Sequence, residues 1–209
     1  MKNNIRLMTL TSLFIALIAI LSFTPFGLIS LGIINVTILA IPVIIGTILL
    51  GLQPGLVLGL AFGLISTLSM ITTPKSLLAT TLYAANPLFA ILMCIVPRVL
   101  IPVVTWLVFR AVSGKNPHRA AALPIAAVAG SATNTVFYLG LMLLFYHIIG
   151  FGDEAVSTAL ATRDLLSFDM LLKFIAGLTA SAGIPEAIAA AILTTPIVMA
   201  LWKIEKTRG

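Results

Sequence analysis

Charge is what this sequence has least of. Its 209 residues include twelve Lys or Arg and six Asp or Glu, 9% in all, against about 25% in an ordinary soluble domain. Hydrophobic residues make up 60% of the chain and mean hydropathy is +1.20, which excludes a water-soluble globule. The few charges are also clustered, with none between Arg6 and Lys75 and none between Lys75 and Arg98. A soluble core has no reason to exclude charge over such stretches. A bilayer does, because Asp, Lys or Arg at the centre of a membrane helix costs about 2.5–3.5 kcal/mol on insertion scales. The chain reads as an all-α, polytopic membrane protein.

Other absences narrow the function. The one cysteine, Cys94, has no partner for an internal disulfide. His118 and His147 are far apart and read as structural or solvated rather than ligating. No G-x-x-x-x-G-K-[ST] loop is present, so ATP hydrolysis by that route is excluded. There is no HExxH, no pair of intramembrane aspartates and no Ser/His pair at one depth to support protease or transferase chemistry. No metal or cofactor is expected. At about 20 residues per span, no room is left for a catalytic domain outside the membrane.

Apolar runs bounded by Pro, Gly and charge predict six spans in one integral membrane domain covering 1–209, at 6–24, 35–51, 54–72, 90–111, 120–148 and 184–203. The first follows MKNNIR like a signal peptide, but it lacks a small-x-small cleavage site and reads as an uncleaved helix. The second and third are joined only by Leu52-Gln53-Pro54 and must be antiparallel neighbours. Residues 169–183 are too short to cross and contain Lys173. They are expected to form an interfacial helix within an outer loop over 151–183.

The positive-inside rule supports this count. With both termini cytoplasmic, Lys2, Arg6, Arg110, Lys115, Arg119, Lys203, Lys206 and Arg208 lie inside, while Lys75, Arg163 and Lys173 lie outside with Asp153, Glu154, Asp164 and Asp169. The net charge of +6 is then orientation signal and anionic-lipid contact, not a nucleic-acid surface.

Two small-residue stripes stand out. Gly55, Gly59 and Gly63 line one face of the third span and suit a packing seam within the bundle. Ser12, Ala16 and Ala19 line a face of the first span, which suits a partner helix.

Polar residues inside the spans are the candidate site. Arg98 sits in CIVPRVLIPVV, in the outer half of the fourth span, with no acid within fifty residues on either side. It either anchors an anionic ligand, snorkels to headgroups or pairs with Glu186. Asn134, midway along the fifth span, is interhelical glue or a ligand contact. Thr133 and Thr135 are expected to bond their own i−4 carbonyls. The connection TTPKSLLATTLYAANP carries Lys75, Tyr83 and Asn86 and would serve as a lid or a plain loop. The first outer loop ends at Asn35 and is too apolar to be freely solvated. Glu186 follows Gly183-Ile184-Pro185 and suits a helix N-terminus, or a ligand. A structural membrane protein with an Arg98–Glu186 pair remains an alternative to a solute-binding one.

Four segments taken in order, NVTILAIPVIIGTILLGLQPGLVLGLAFGLIS, NP…PRVL, GSATNTVFYLGL and PEAIAAAILTTPIV, resemble the substrate-binding S components of energy-coupling factor (ECF) vitamin transporters, over about 7–203. The resemblance implies a six-helix membrane protein that captures a vitamin at the outer face and docks on a transmembrane coupling protein driven by two ABC-type ATPases. It also implies docking through a small-residue stripe on the first helix, matched here by Ser12, Ala16 and Ala19. PRVL and GSATNT look most like the pantothenate, cobalamin and hydroxymethylpyrimidine group, with folate and riboflavin also open. Pantothenate carries a carboxylate that an unpaired arginine would hold, and it is the favoured ligand. The candidate substrate-binding set is Arg98, Asn134, Asn86, Tyr83, Asn35 and Glu186.

Overall fold

In lipid, a chain must satisfy its backbone N–H and C=O groups internally, so long apolar runs fold as helices. The computed structural model describes residues 2–24, 27–30, 35–73, 76–114, 116, 118–149 and 168–208. Lys75, Lys115 and residues 151–167 of the expected outer loop over 151–183 lie outside the described residues. The elements in order are α1 (Lys2–Phe23), β1 (Leu28–Ser30), β2 (Asn35–Thr37), α2 (Ala40–Leu50), α3 (Leu52–Thr72), α4 (Leu77–Ala85), α5 (Pro87–Ser113), α6 (Ala122–Ile149), α7 (Phe168–Leu178) and α8 (Ile184–Arg208). A π-helical turn, Thr179–Gly183, joins the last two without a break.

Among the described residues, five helical segments are long and apolar enough to cross a membrane: Ile5–Phe23, Leu52–Thr72, Pro87–Ser113, Ala122–Ile149 and Thr179–Ile204. The second expected span differs. Its first residues, Asn35–Thr37, pair antiparallel with Leu28–Ser30, and only Ala40–Leu50 is helical. Eleven residues reach about 16 Å at 1.5 Å per residue, against a core about 30 Å thick. Residues Ala40 through Thr47 of α2 are buried on every side, so this short helix fills the bundle rather than facing lipid. The stretch expected to lie at the interface, 169–183, is also more continuous than anticipated. The amphipathic α7 runs through the π turn directly into α8.

Helix boundaries follow local chemistry. Gly51, at φ +94°, ends α2 and opens α3 with a backbone conformation that other residues rarely adopt. Ser76 caps α4 by accepting from the Ala79 N–H. Asn86 and Pro87 open α5, with the proline at the first helical position. Hydroxyls within the helices bond back four residues, as at Thr47, Thr67 and Thr195, which keeps them paired in an apolar setting.

Packing divides into two buried clusters. One surrounds α2 and joins Ile18, Ile44, Leu58, Phe62, Ile101 and Leu123. The other seats α4 on α3, α5 and α6 through Leu78, Leu82, Met93, Met142 and Tyr146. The Tyr146 hydroxyl donates to the Leu78 carbonyl at 2.7 Å, and Phe89 stacks on Phe145 at 4.5 Å. The expected glycine seam is present between α3 and α5. A Cβ at Gly59 would lie 2.5 Å from the Arg98 carbonyl oxygen, and one at Gly63 would lie 3.0 Å from Ile95 Cα. In lipid such close contact, not escape from water, holds helices together.

Candidate functional site

The glycine seam brings α5 close to α3, and α6 packs along the other side of α5. Arg98 lies at this junction. Its Cζ is 4.5 Å from the Tyr138 ring centroid on α6 and 5.4 Å from that of Phe62 on α3. Its Nη1 donates to the Met93 carbonyl oxygen at 3.3 Å. Among the described residues the guanidinium meets no carboxylate, and its Nε is buried without a hydrogen-bond partner.

The magnitudes show why the charge is tolerated and what it still lacks. Two aromatic faces contribute about 0.5–1 kcal/mol each, and one hydrogen bond from a charged donor about 1.5–3 kcal/mol. Together they offset the roughly 2.5–3.5 kcal/mol of placing arginine in a membrane helix. They leave one whole edge of the guanidinium unused. An anion meeting that edge would gain charge-assisted bonds with no further cost of ordering the arginine.

Asn134 stands one helical turn from Tyr138 on the same face of α6. Its Oδ1 is buried and accepts no hydrogen bond among the described residues. Its neighbours behave as the sequence predicts. Thr133 Oγ1 donates to the Ala129 carbonyl at 2.7 Å, and Thr135 Oγ1 to that of Ser131 at 3.5 Å. The π turn meets α6 at this level, where a Cβ at Gly183 would lie 2.7 Å from Thr135 Cγ2.

The other candidates are spread more widely. Asn86 Oδ1 accepts from the Leu88 and Phe89 N–H groups, at 3.1 and 3.3 Å, and so caps α5. Twelve residues separate it from Arg98 along α5, about 18 Å of helix. Tyr83 is half-buried on α4, against the cluster that seats that helix. Asn35 lies on β2 opposite Ser30, and this hairpin strand borders the π turn and α8. Glu186 is half-buried in the first turn of α8, where a carboxylate suits the helix N-terminus. The alternative pairing of Arg98 with a carboxylate is not seen among the described residues.

Two residues of this site escape a reading for charge and amides. Tyr138 and Phe62 are aromatic in apolar runs, where nothing marks them. The one available signal was the i, i+4 spacing of Asn134 and Tyr138.

The arrangement is suited to holding an anionic or polar ligand. A half-buried guanidinium whose buried Nε has no partner among the described residues and an amide whose buried Oδ1 accepts no bond there lie between helices.

Comparison with known proteins supplies the family. A family model described as the substrate-specific component of ECF transporters matches residues 6–198. The chain is 32% identical over 219 residues to a protein of Lactococcus lactis subsp. cremoris (strain MG1363) named pantothenic acid transporter PanT, spanning 97% of this chain and 96% of that protein.

Proposed function

Because the chain belongs to the substrate-specific components of ECF transporters, we propose that it captures pantothenate at the outer face of the cell membrane and delivers it for uptake. Pantothenate has one carboxylate, an amide and two hydroxyls. Arg98 holds the carboxylate, and Asn134 bonds the polar body through its unused Oδ1. Tyr83 and Asn86 stand at the outer rim, and Asn35 and Glu186 approach from the hairpin and from the start of α8.

The observation that carries this reading is the guanidinium itself, half-buried among three helices with no carboxylate against it among the described residues. Similarity to a protein named for pantothenic acid supports the choice of vitamin. The chain crosses the membrane six times, with α2 and its hairpin together forming the second crossing, and both termini are cytoplasmic. Energy comes from outside the chain, through a transmembrane coupling protein and two ATPases.

Binding of radiolabelled pantothenate to the purified protein tests the reading. Wild type should bind saturably, and Arg98→Ala should lose at least a hundredfold in affinity, since a buried charge pair lost on one side costs about 3–5 kcal/mol. Undiminished binding by Arg98→Ala would remove Arg98 from the site, and no binding by wild type would remove pantothenate.

A further inference from the structure

Two prolines flank Arg98 inside α5, Pro97 and Pro102. In an α-helix the carbonyl of residue i−4 accepts from the N–H of residue i. Proline has no N–H, and its ring pushes that carbonyl away from the helix axis. The carbonyl freed by Pro97 is therefore that of Met93. It is the same oxygen to which Arg98 Nη1 donates, at 3.3 Å. The carbonyl freed by Pro102 is that of Arg98, which instead faces Gly59 of α3 in the glycine seam.

We propose that Pro97 is a positioning residue for substrate recognition: by withholding an amide from the Met93 carbonyl it hands that oxygen to Arg98 and fixes the guanidinium with its ligand-binding edge free. This rests on the reading of Arg98 as the carboxylate anchor. The geometry is specific about which edge is free. Anchoring through Nη1 leaves the Nε–Nη2 edge unbonded, and Nε is buried with no partner among the described residues. That edge takes a carboxylate side-on through two parallel bonds. Tyr138 and Phe62 add faces that limit tilting of the guanidinium plane.

A proline whose only role was to bend the helix would act on every ligand alike. A proline that sets one arginine acts on the carboxylate alone. The experiment therefore compares pantothenate with pantothenol, which has an alcohol where pantothenate has its carboxylate, by titration calorimetry on the purified full-length protein. The quantity read is the ratio of the two affinities.

Pro97→Ala restores the N–H, which competes with Arg98 for the Met93 carbonyl. Pantothenate affinity should fall about tenfold, while pantothenol affinity stays within about twofold of wild type. The melting temperature should not fall, because alanine is the better helix residue. Pro102→Ala restores an amide to a carbonyl that does not touch the guanidinium, so its ratio should match wild type. If Pro97→Ala does not purify in a folded form, Pro97→Leu, which restores the same amide, is read in its place.

An unchanged ratio in the Pro97 variant overturns the proposal. An equal fall in Pro97→Ala and Pro102→Ala also overturns it, since helix bending would then be the cause. Arg98→Gln separates these results from failure of the underlying reading. If wild type does not prefer pantothenate over pantothenol, or if Arg98→Gln keeps the preference, Arg98 is not the anchor and the role of Pro97 falls with it. If Arg98→Gln loses the preference and Pro97→Ala keeps it, only the positioning role fails.

Discussion

Asn134 separates two roles that a buried amide can play. An amide that holds helices together has its acceptor filled in the unliganded protein, and replacing it destabilises the bundle, on average by about 0.6 kcal/mol in membrane proteins. The Oδ1 of Asn134 is buried and unfilled, so removing it relieves a cost of desolvation. Asn134→Leu should therefore keep or raise the melting temperature of the ligand-free protein while weakening pantothenate binding about tenfold. A lowered melting temperature with unchanged affinity would make Asn134 interhelical glue. At this scale the sequence was legible where polarity contrasts with its surroundings. Arg98 and Asn134 stand out in apolar runs, and the hydroxyls of Thr133 and Thr135 go where helix geometry sends them. Tyr138 and Phe62 were not legible, because an aromatic among aliphatics gains a distinct role only once a neighbouring helix brings a cation over its face.

Elements depend on how those residues are spaced, and the seam between α3 and α5 is the clearest case. Gly59 faces the Arg98 carbonyl and Pro102, and Gly63 faces Ile95 and the Cys94 carbonyl, so α3 supports the backbone that carries the site. Gly59→Leu would force the two helices apart just where Arg98 is held. It should lower the melting temperature and abolish pantothenate binding, although residue 59 does not itself touch the guanidinium. Gly51→Ala, at a turn where a Cβ meets nothing within 4 Å, should cost only the strain of a backbone conformation that is nearly exclusive to glycine, about 1–3 kcal/mol, and leave binding intact. If both variants bound like wild type, the seam would not be what positions Arg98. The four-residue glycine spacing made this seam readable in advance. The short α2 and its hairpin were not, since an apolar run with β-branched residues such as Val36 and Thr37 suits either a strand or a buried helix, and periodicity does not decide between them. The π turn was hidden for a similar reason. Thr179–Gly183 is a run of small residues, and the choice of Gly183 is explained only by the approach of Thr135 from α6.

For the whole molecule, the proposed reading separates capture from transport, and α1 is where the two can be told apart. Arg98, Tyr138, Phe62 and Asn134 lie on α3, α5 and α6, and none of them lies on α1. Among the five helices able to cross a membrane, α1 is the least buried. Ser12 and Ala16 are exposed, and Ala19 is half-buried. Large exposed side chains on the same helix, among them Leu13, Leu17 and Ile20, suit lipid, whereas a face of small residues suits close approach by another helix. That face is where the family resemblance implies that the coupling protein docks. Ala16→Trp places the largest side chain in the middle of the stripe without touching any residue of the site. The purified variant should bind pantothenate as wild type does, while its co-purification with the coupling protein and vitamin uptake by cells both fall at least tenfold. Loss of binding in the purified variant would mean that α1 supports the site itself, and undiminished uptake would place the docking face elsewhere.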